Sequence, residues 1–166
     1  TTRTLCPQWK GAGNDGLGLE AGMRQPLTVH GSLGLALMCC ATVGEGLPVL
    51  QRFWYLRGRG VGLTAEMQGD MAALVLHTEM PMTPPVQQVL IESILVSLYR
   101  GLTHMAGEVS GAELWLQHPR PAYADRYLGD FNNGKLPPIT GARLISALRI
   151  PLTLLQRPLQ SASPDT

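Results

Sequence analysis

The sequence predicts an α+β domain, a mostly antiparallel sheet packed against several helices, with one central apolar helix. Three observations carry that expectation. The segment Val86–Met105 has eleven large apolar or aromatic residues in twenty positions, and they surround the helical projection rather than forming one stripe. Two segments of alternating character, Val61–Met67 and Met71–Thr78, flank a Gln68-Gly69-Asp70 turn. The elements follow one another as helix–helix–hairpin–helix–strand–helix–strand, without the regular alternation that builds a parallel sheet. At 166 residues the chain has the size of one domain and can bury roughly 70% of its unfolded surface.

Taken in order, Thr1–Asp15 reads as irregular, with a turn cluster at Gly11–Asp15. Leu17–Gln25 has the pattern of a short helix weakened by Gly18 and Gly22, and Pro26–Gly31 reads as a loop. Ser32–Ala41 carries no charge and is too short to span a membrane, so a buried helix is expected there. Thr42-Val43-Gly44-Glu45 matches a capping box, with Glu45 reaching back to the cap N–H. The helix it opens is expected over Val43–Arg57. Leu47, Leu50, Trp54 and Leu56 form its apolar side, Arg52 and Arg57 its polar side, and Pro48 should bend it or delay its start. Pro81, Pro84 and Pro85 read as chain breaks before the central helix. Ala112–His118 alternates as a strand, Ala122–Phe131 as a short helix closed by Asn132-Asn133-Gly134, Arg143–Ile150 as a last strand, and Pro151–Gln156 as a helical turn.

Composition narrows the function. Thirteen basic and twelve acidic residues give +1, which argues against direct nucleic-acid binding by this segment. Charged residues are only 15%, so much of the surface must be neutral or apolar and available to a ligand or partner. Cys6, Cys39 and Cys40 form no disulfide framework, no secretion signal or membrane span is visible, and a reduced cytoplasmic setting is expected. The missing initial Met and the polar stretch Ser161–Thr166 point to a piece of a longer chain.

Chemistry-bearing motifs are few. His30, His77, His104 and His118 lack zinc-ligand spacing, so no metal is expected. Adjacent cysteines cannot share one helix face, and Cys39 and Cys40 read as small buried side chains. No nucleophile elbow or phosphate loop is present. No catalytic residue and no cofactor are expected.

Glu92 is the most informative charge. A carboxylate inside so apolar a helix costs several kcal/mol unless it finds a partner. Arg52 on the preceding helix is one candidate, making a tie between helices; a ligand contact is the functional alternative. Trp54, Tyr55, Tyr99, Trp115 and His118 combine an apolar body with a polar tip. Such residues line small-molecule pockets, and equally fill cores and interfaces.

A spaced series of short motifs covers residues 14–160. It begins with Asn14–Gly22, His30-Gly31-Ser32-Leu33-Gly34 and Ala41–Leu47, passes through Leu90-Ile91-Glu92 and Leu114–Pro121, and ends at Leu154–Leu159. This series resembles the amino-terminal effector domain, often labelled arabinose-binding, of AraC-type transcription regulators. Two departures stand out: Pro48 falls where the family has an ordinary helix former, and Phe53 where Tyr after Arg is common.

The resemblance implies a sensor of a small effector that dimerises and reaches DNA only through a following basic helix-turn-helix domain. On it, residues 1–160 form the effector-binding and dimerisation domain and 161–166 begin the linker. The effector is expected between the central helix and the sheet, with Glu92, Arg52, Trp54, Tyr99, Trp115 and His118 as ligand-binding residues. Two other readings compete with this one: a pocketless protein–protein interaction or dimerisation module, and a small enzyme acting through Glu92 and His118, for which no motif speaks.

Overall fold

The computed structural model describes residues 16–24, 37, 39–57, 60–107, 109–127 and 136–159. Its helices are α1 (Leu17–Arg24), α2 (Val43–Phe53) and α3 (Pro84–Ala106). Its strands are β1 (Val61–Gln68), β2 (Met71–Thr78), β3 (Glu113–Trp115), β4 (Ile139–Thr140) and β5 (Ser146–Pro151). Short 3-10 turns follow α2 (Trp54–Arg57), precede β4 (Ala122–Tyr127) and follow β5 (Leu152–Gln156). The strands form one sheet in the order β1-β2-β5-β3-β4, antiparallel except for the β3–β4 pair. The expected α+β class with a mostly antiparallel sheet is therefore the observed one. The turn cluster at Gly11–Asp15, the loop Pro26–Gly31, most of Ser32–Ala41 and the Asn132–Gly134 turn lie outside the described residues.

The sheet register explains the core. Ala65, Leu74, Leu148, Leu114 and Ile139 stand side by side across all five strands. With Leu63, Leu76, Ala72 and Ile150 they make one apolar face, and they share a core with Ile91, Ile94, Leu95 and Leu98 of α3. Because side chains alternate across a strand, the next register row, Thr64, Val75, Ala147 and Trp115, belongs to the opposite face. There Ala73, Val75 and Ala147 form a second small cluster with Ile145. β2 is consequently buried along six consecutive residues, Met71–Leu76, although its sequence reads as half-buried. At the hairpin tip Gly69 has φ 65° and Asp70 keeps a negative φ, the pattern of a two-residue turn with Gly in the first central position.

Several local expectations change. Pro84 and Pro85 do not precede α3 but form its first turn, where their missing N–H groups cost nothing. α2 starts at Val43 and runs through Pro48, so Pro48 does not delay it. Thr42 accepts from the Glu45 N–H at 3.2 Å, but Glu45 accepts from the Ala41 N–H at 2.8 Å, one residue before the cap. The helix stops at Phe53, four residues earlier than expected, and tightens into a 3-10 turn. There the buried Trp54 indole donates to the Val61 carbonyl at 2.9 Å, and Gln51 accepts from the Ala65 N–H at 2.6 Å. α2 thus covers part of the open β1 edge.

The strand read over Ala112–His118 shortens to β3 and that over Arg143–Ile150 to β5, while the described part of the helix read over Ala122–Phe131 is a 3-10 turn, residues 128–131 lying outside the described residues. β4 has only two residues beside Pro137 and Pro138, too few to show alternation.

Gly18 and Gly22 do more than weaken α1. They sit four apart, on one face of the helix, and that face lies directly on α3. A Cβ at Gly18 would stand 2.8 Å from the Val89 carbonyl and 3.0 Å from the Glu92 Cβ; at Gly22 it would stand 2.7 Å from both the Ser93 carbonyl and the Val96 Cβ. Arg100 donates to the Gly22 carbonyl at 3.1 Å and ties the far end of the crossing.

Adding a methyl at this crossing should overpack it. Gly22→Ala is expected to lower stability by about 1–3 kcal/mol. Gly101→Ala, also within α3 but with nothing within 4 Å of its Cβ, should raise stability by about 0.5–1 kcal/mol. Urea unfolding midpoints of the two variants test the contrast.

Candidate functional site

Glu92 lies in the middle of α3 and is 1% exposed. Three side-chain donors meet its carboxylate. The Tyr123 hydroxyl is 2.8 Å from Oε1 and 2.7 Å from Oε2, His118 Nε2 is 2.9 Å from Oε2, and Gln88 Nε2 donates to Oε2 at 3.2 Å. Gln88 also donates to the Tyr123 oxygen at 2.8 Å. Gln88 sits one helical turn before Glu92 and so reaches it along α3. His118 and Tyr123 come from the chain that leaves β3.

That chain is held by its backbone. Leu116 donates to the Thr140 carbonyl at 2.8 Å, Arg143 to the Leu116 carbonyl at 2.9 Å and Ala142 to the His118 carbonyl at 2.8 Å. The Gln117 N–H donates to the buried Ser146 Oγ at 3.0 Å. Beyond it, Arg120 Nε donates to the Ile139 carbonyl at 2.8 Å and its Nη2 to Asp125 at 2.6 Å. These ties orient the 3-10 turn that presents Tyr123. Its ring is buried, as a phenol with a hydrogen-bonded hydroxyl can be.

Of the six residues singled out from sequence, the structure brings Glu92 and His118 together and places the other four elsewhere. The expected Arg52–Glu92 tie does not form. Arg52 is exposed in the last turn of α2, with its guanidinium 5.4 Å from the Phe53 ring centroid, and the donors on Glu92 come from α3 itself and from the β3 exit. Trp54 is buried at the β1 edge with its indole N–H on Val61. Tyr99 is half-buried, seven residues along α3 from Glu92, or about 10 Å of helix rise.

Trp115 is on the opposite face of the sheet, as the alternation with Leu114 and Leu116 requires. The guanidiniums of Arg149 and Arg143 lie 4.0 and 4.3 Å from its ring centroid, and its Nε1 donates to Glu113 at 2.9 Å. Arg149 Nη1 is 3.7 Å from the Glu113 carboxylate, and its Nε is buried without a hydrogen-bond partner. Two cations stacked on one indole form a cation–π cluster separate from Glu92.

Sequence reasoning missed Gln88 and Tyr123. Gln88 carried a usable signal, its i−4 spacing from Glu92. Tyr123 carried none, because 31 residues separate it from Glu92.

The cysteines divide. Cys40 is buried and Cys39 exposed, so only one matches the expected buried pair. Burial, and then the charges of Glu45 and Cys39, push the Cys40 thiol above its usual pKa. Among the described residues no group of three His, Cys, Asp or Glu side chains is placed to hold a metal ion, and no helix is long and apolar enough to cross a membrane.

Two measurements check this site. Tyr123→Phe should cost about 1–3 kcal/mol, because it strips a donor from a buried carboxylate, whereas Arg52→Ala should stay within about 0.5 kcal/mol; chemical denaturation distinguishes them. Alkylation at neutral pH followed by peptide mass mapping should mark Cys39 well before Cys40, since the thiolate is the reacting species.

Comparison with known proteins agrees with this architecture. A model of the arabinose-binding domain of AraC transcription regulators, N-terminal part, matches residues 8–159. The ornithine utilization regulator of Pseudomonas aeruginosa is 25% identical over 158 residues, covering 93% of this chain and 44% of that protein. The crystal structure of the transcriptional regulator CdpR from Pseudomonas aeruginosa shares the fold with a TM-score of 0.71 at 20% identity, over 88% of this chain and 46% of CdpR. The chain spans less than half the length of either protein. With the family model matched over residues 8–159, the chain belongs to the N-terminal arabinose-binding-type domains of AraC transcription regulators.

Proposed function

We propose that this domain senses a small-molecule effector in the cytoplasm and, as part of a self-associating regulator, controls DNA binding by a separate domain. The observation that carries the reading is the family match over residues 8–159. The polar anchor of the effector is Glu92, supported by Tyr123 and Gln88, with His118 at its open side. This cluster places a buried charge next to a partly open histidine, whose side chain is 20% exposed. Buried polar groups at an apolar helix–sheet boundary suit ligand orientation, because a few such groups set specificity in otherwise apolar sites. Val86 and Leu90, one turn apart on α3 and 41% and 37% exposed, support self-association through the first half of that helix.

The enzyme reading has the Glu92–His118 contact in its favour, but no sequence motif for catalysis accompanies it. A positioned acid–base pair alone does not define a reaction, and the family argues for regulation.

The test is a stabilisation screen of the complete protein against small molecules. A genuine effector at a hundredfold excess over Kd should stabilise by about 2.7 kcal/mol and change the affinity of the complete protein for its DNA. A screen in which no compound raises thermal stability or changes DNA affinity overturns the sensing role.

A further inference from the structure

We propose that the ligand of the Glu92 site is an organic cation of the alkylammonium or guanidinium class, bound in the position that His118 takes in this structure. This inference rests on the effector-sensing reading and assigns the effector's chemistry.

The hydrogen-bond inventory of the carboxylate points there. An ionised carboxylate only accepts, and it offers about four lone-pair positions. Tyr123 has one hydroxyl proton, equidistant within 0.1 Å from both oxygens at 2.8 and 2.7 Å, so it serves one oxygen at a time. Gln88 and His118 both address Oε2. Oε1 has no other donor among the described residues.

Charge leads to the same class. No arginine or lysine among the described residues contacts Glu92; Arg120, in the neighbouring segment, is engaged by Asp125 and the Ile139 carbonyl. His118 is the one partner able to carry a positive charge. An anionic ligand would be repelled, and a neutral one in the place of His118 would leave the carboxylate without any cationic partner. A cation with several N–H donors supplies both a permanent counter-charge and the donor for Oε1.

Access has a direction as well. The Glu92 side chain has no exposure and the His118 side chain has 20%. Gln88 and His118, both partly exposed, therefore lie on the solvent side of the carboxylate, and an incoming cation competes with the imidazole for Oε2. His118 acts as an internal occupant, a positioning residue rather than a ligand contact.

Calorimetric titration of the complete protein tests this with n-butylammonium, putrescine, L-ornithine and L-arginine. Pentanamide, an alkyl chain of similar length without an ammonium group, and butyrate serve as counterparts. At least one cation should bind while pentanamide and butyrate do not. Glu92→Gln should weaken that binding more than about tenfold, the order expected when one member of a buried charge pair is neutralised. His118→Ala should tighten it several-fold, whereas a purely structural histidine would weaken binding together with stability. If Glu92→Gln does not fold by circular dichroism, the direction of the His118→Ala change decides. The proposal is overturned if no cation binds wild type or His118→Ala, or if pentanamide or butyrate binds and Glu92→Gln leaves that binding intact. A positive stabilisation screen without cation binding overturns the ligand class and leaves the sensing role standing.

Discussion

The hydrogen bonds that Tyr123, His118 and Gln88 donate to Glu92 decide where three stretches of chain meet. A carboxylate in hydrocarbon surroundings has no water to accept from, and an unsatisfied one costs far more than any single apolar contact returns. α3 therefore cannot be placed by its apolar surface alone. It must present Glu92 where the β3 exit brings a phenol and an imidazole. α1 closes the other side. Because Gly18 lacks a side chain, the α1 backbone approaches the Glu92 Cβ directly, leaving no room for solvent on that flank. Gly18 thus serves two ends, close helix packing and the dryness of the site.

The sheet topology makes the meeting rigid. β2 and β3 both run antiparallel to β5, which inserts between them after the chain has crossed over through α3. β5 starts with Ser146, buried and facing the β3 exit, where its hydroxyl takes the Gln117 N–H. The strand that completes the sheet late in the sequence thereby anchors the peptide just before His118. β4 and the residues after it hold the same stretch from the other edge through Thr140, Ala142 and Arg143. Ala142 pays part of the cost, with a φ of 53° that L residues adopt with strain.

Much of this was legible in the sequence because it depends on local pattern. The hairpin followed from alternation around Gly69, the Thr42 cap of α2 from its spacing to Glu45, and the central helix from its all-round apolar surface. The importance of Glu92 followed from its surroundings in that helix. What failed depends on distance along the chain. His118 and Tyr123 lie 26 and 31 residues from Glu92, and no periodicity links them, so charge complementarity alone nominated Arg52. Propensity misjudged Gly18 and Gly22, since their value appears only when α3 is beside them. Pro84 and Pro85 were ambiguous between a break and a first turn, because the missing N–H is harmless in both. Trp54 and Trp115 shared a chemical type with His118 but not a place, since alternation sends Trp115 to the far face and the α2 terminus turns Trp54 inward.

The same bonds determine how an event at Glu92 would be felt elsewhere. The His118 side chain faces the carboxylate while its carbonyl accepts from Ala142, so the ring cannot be displaced far by backbone motion without disturbing a loop already held at positive φ. Two responses are available. A rotation about the His118 side-chain bonds alone would keep the ladder intact and confine the change to the site. A shift of the Gln117–His118 peptide would reach Ser146 and Ala142 together and move the 141–145 loop, which carries Arg143 on the Trp115 ring and a nearly fully exposed Leu144. Interfaces change state through discrete repacking rather than smooth deformation, and a loop tied to the site, with strain near its start at Ala142, meets that requirement. On the proposed sensing role, the exposed end of this loop is therefore where occupancy of the buried carboxylate would become a difference on the surface.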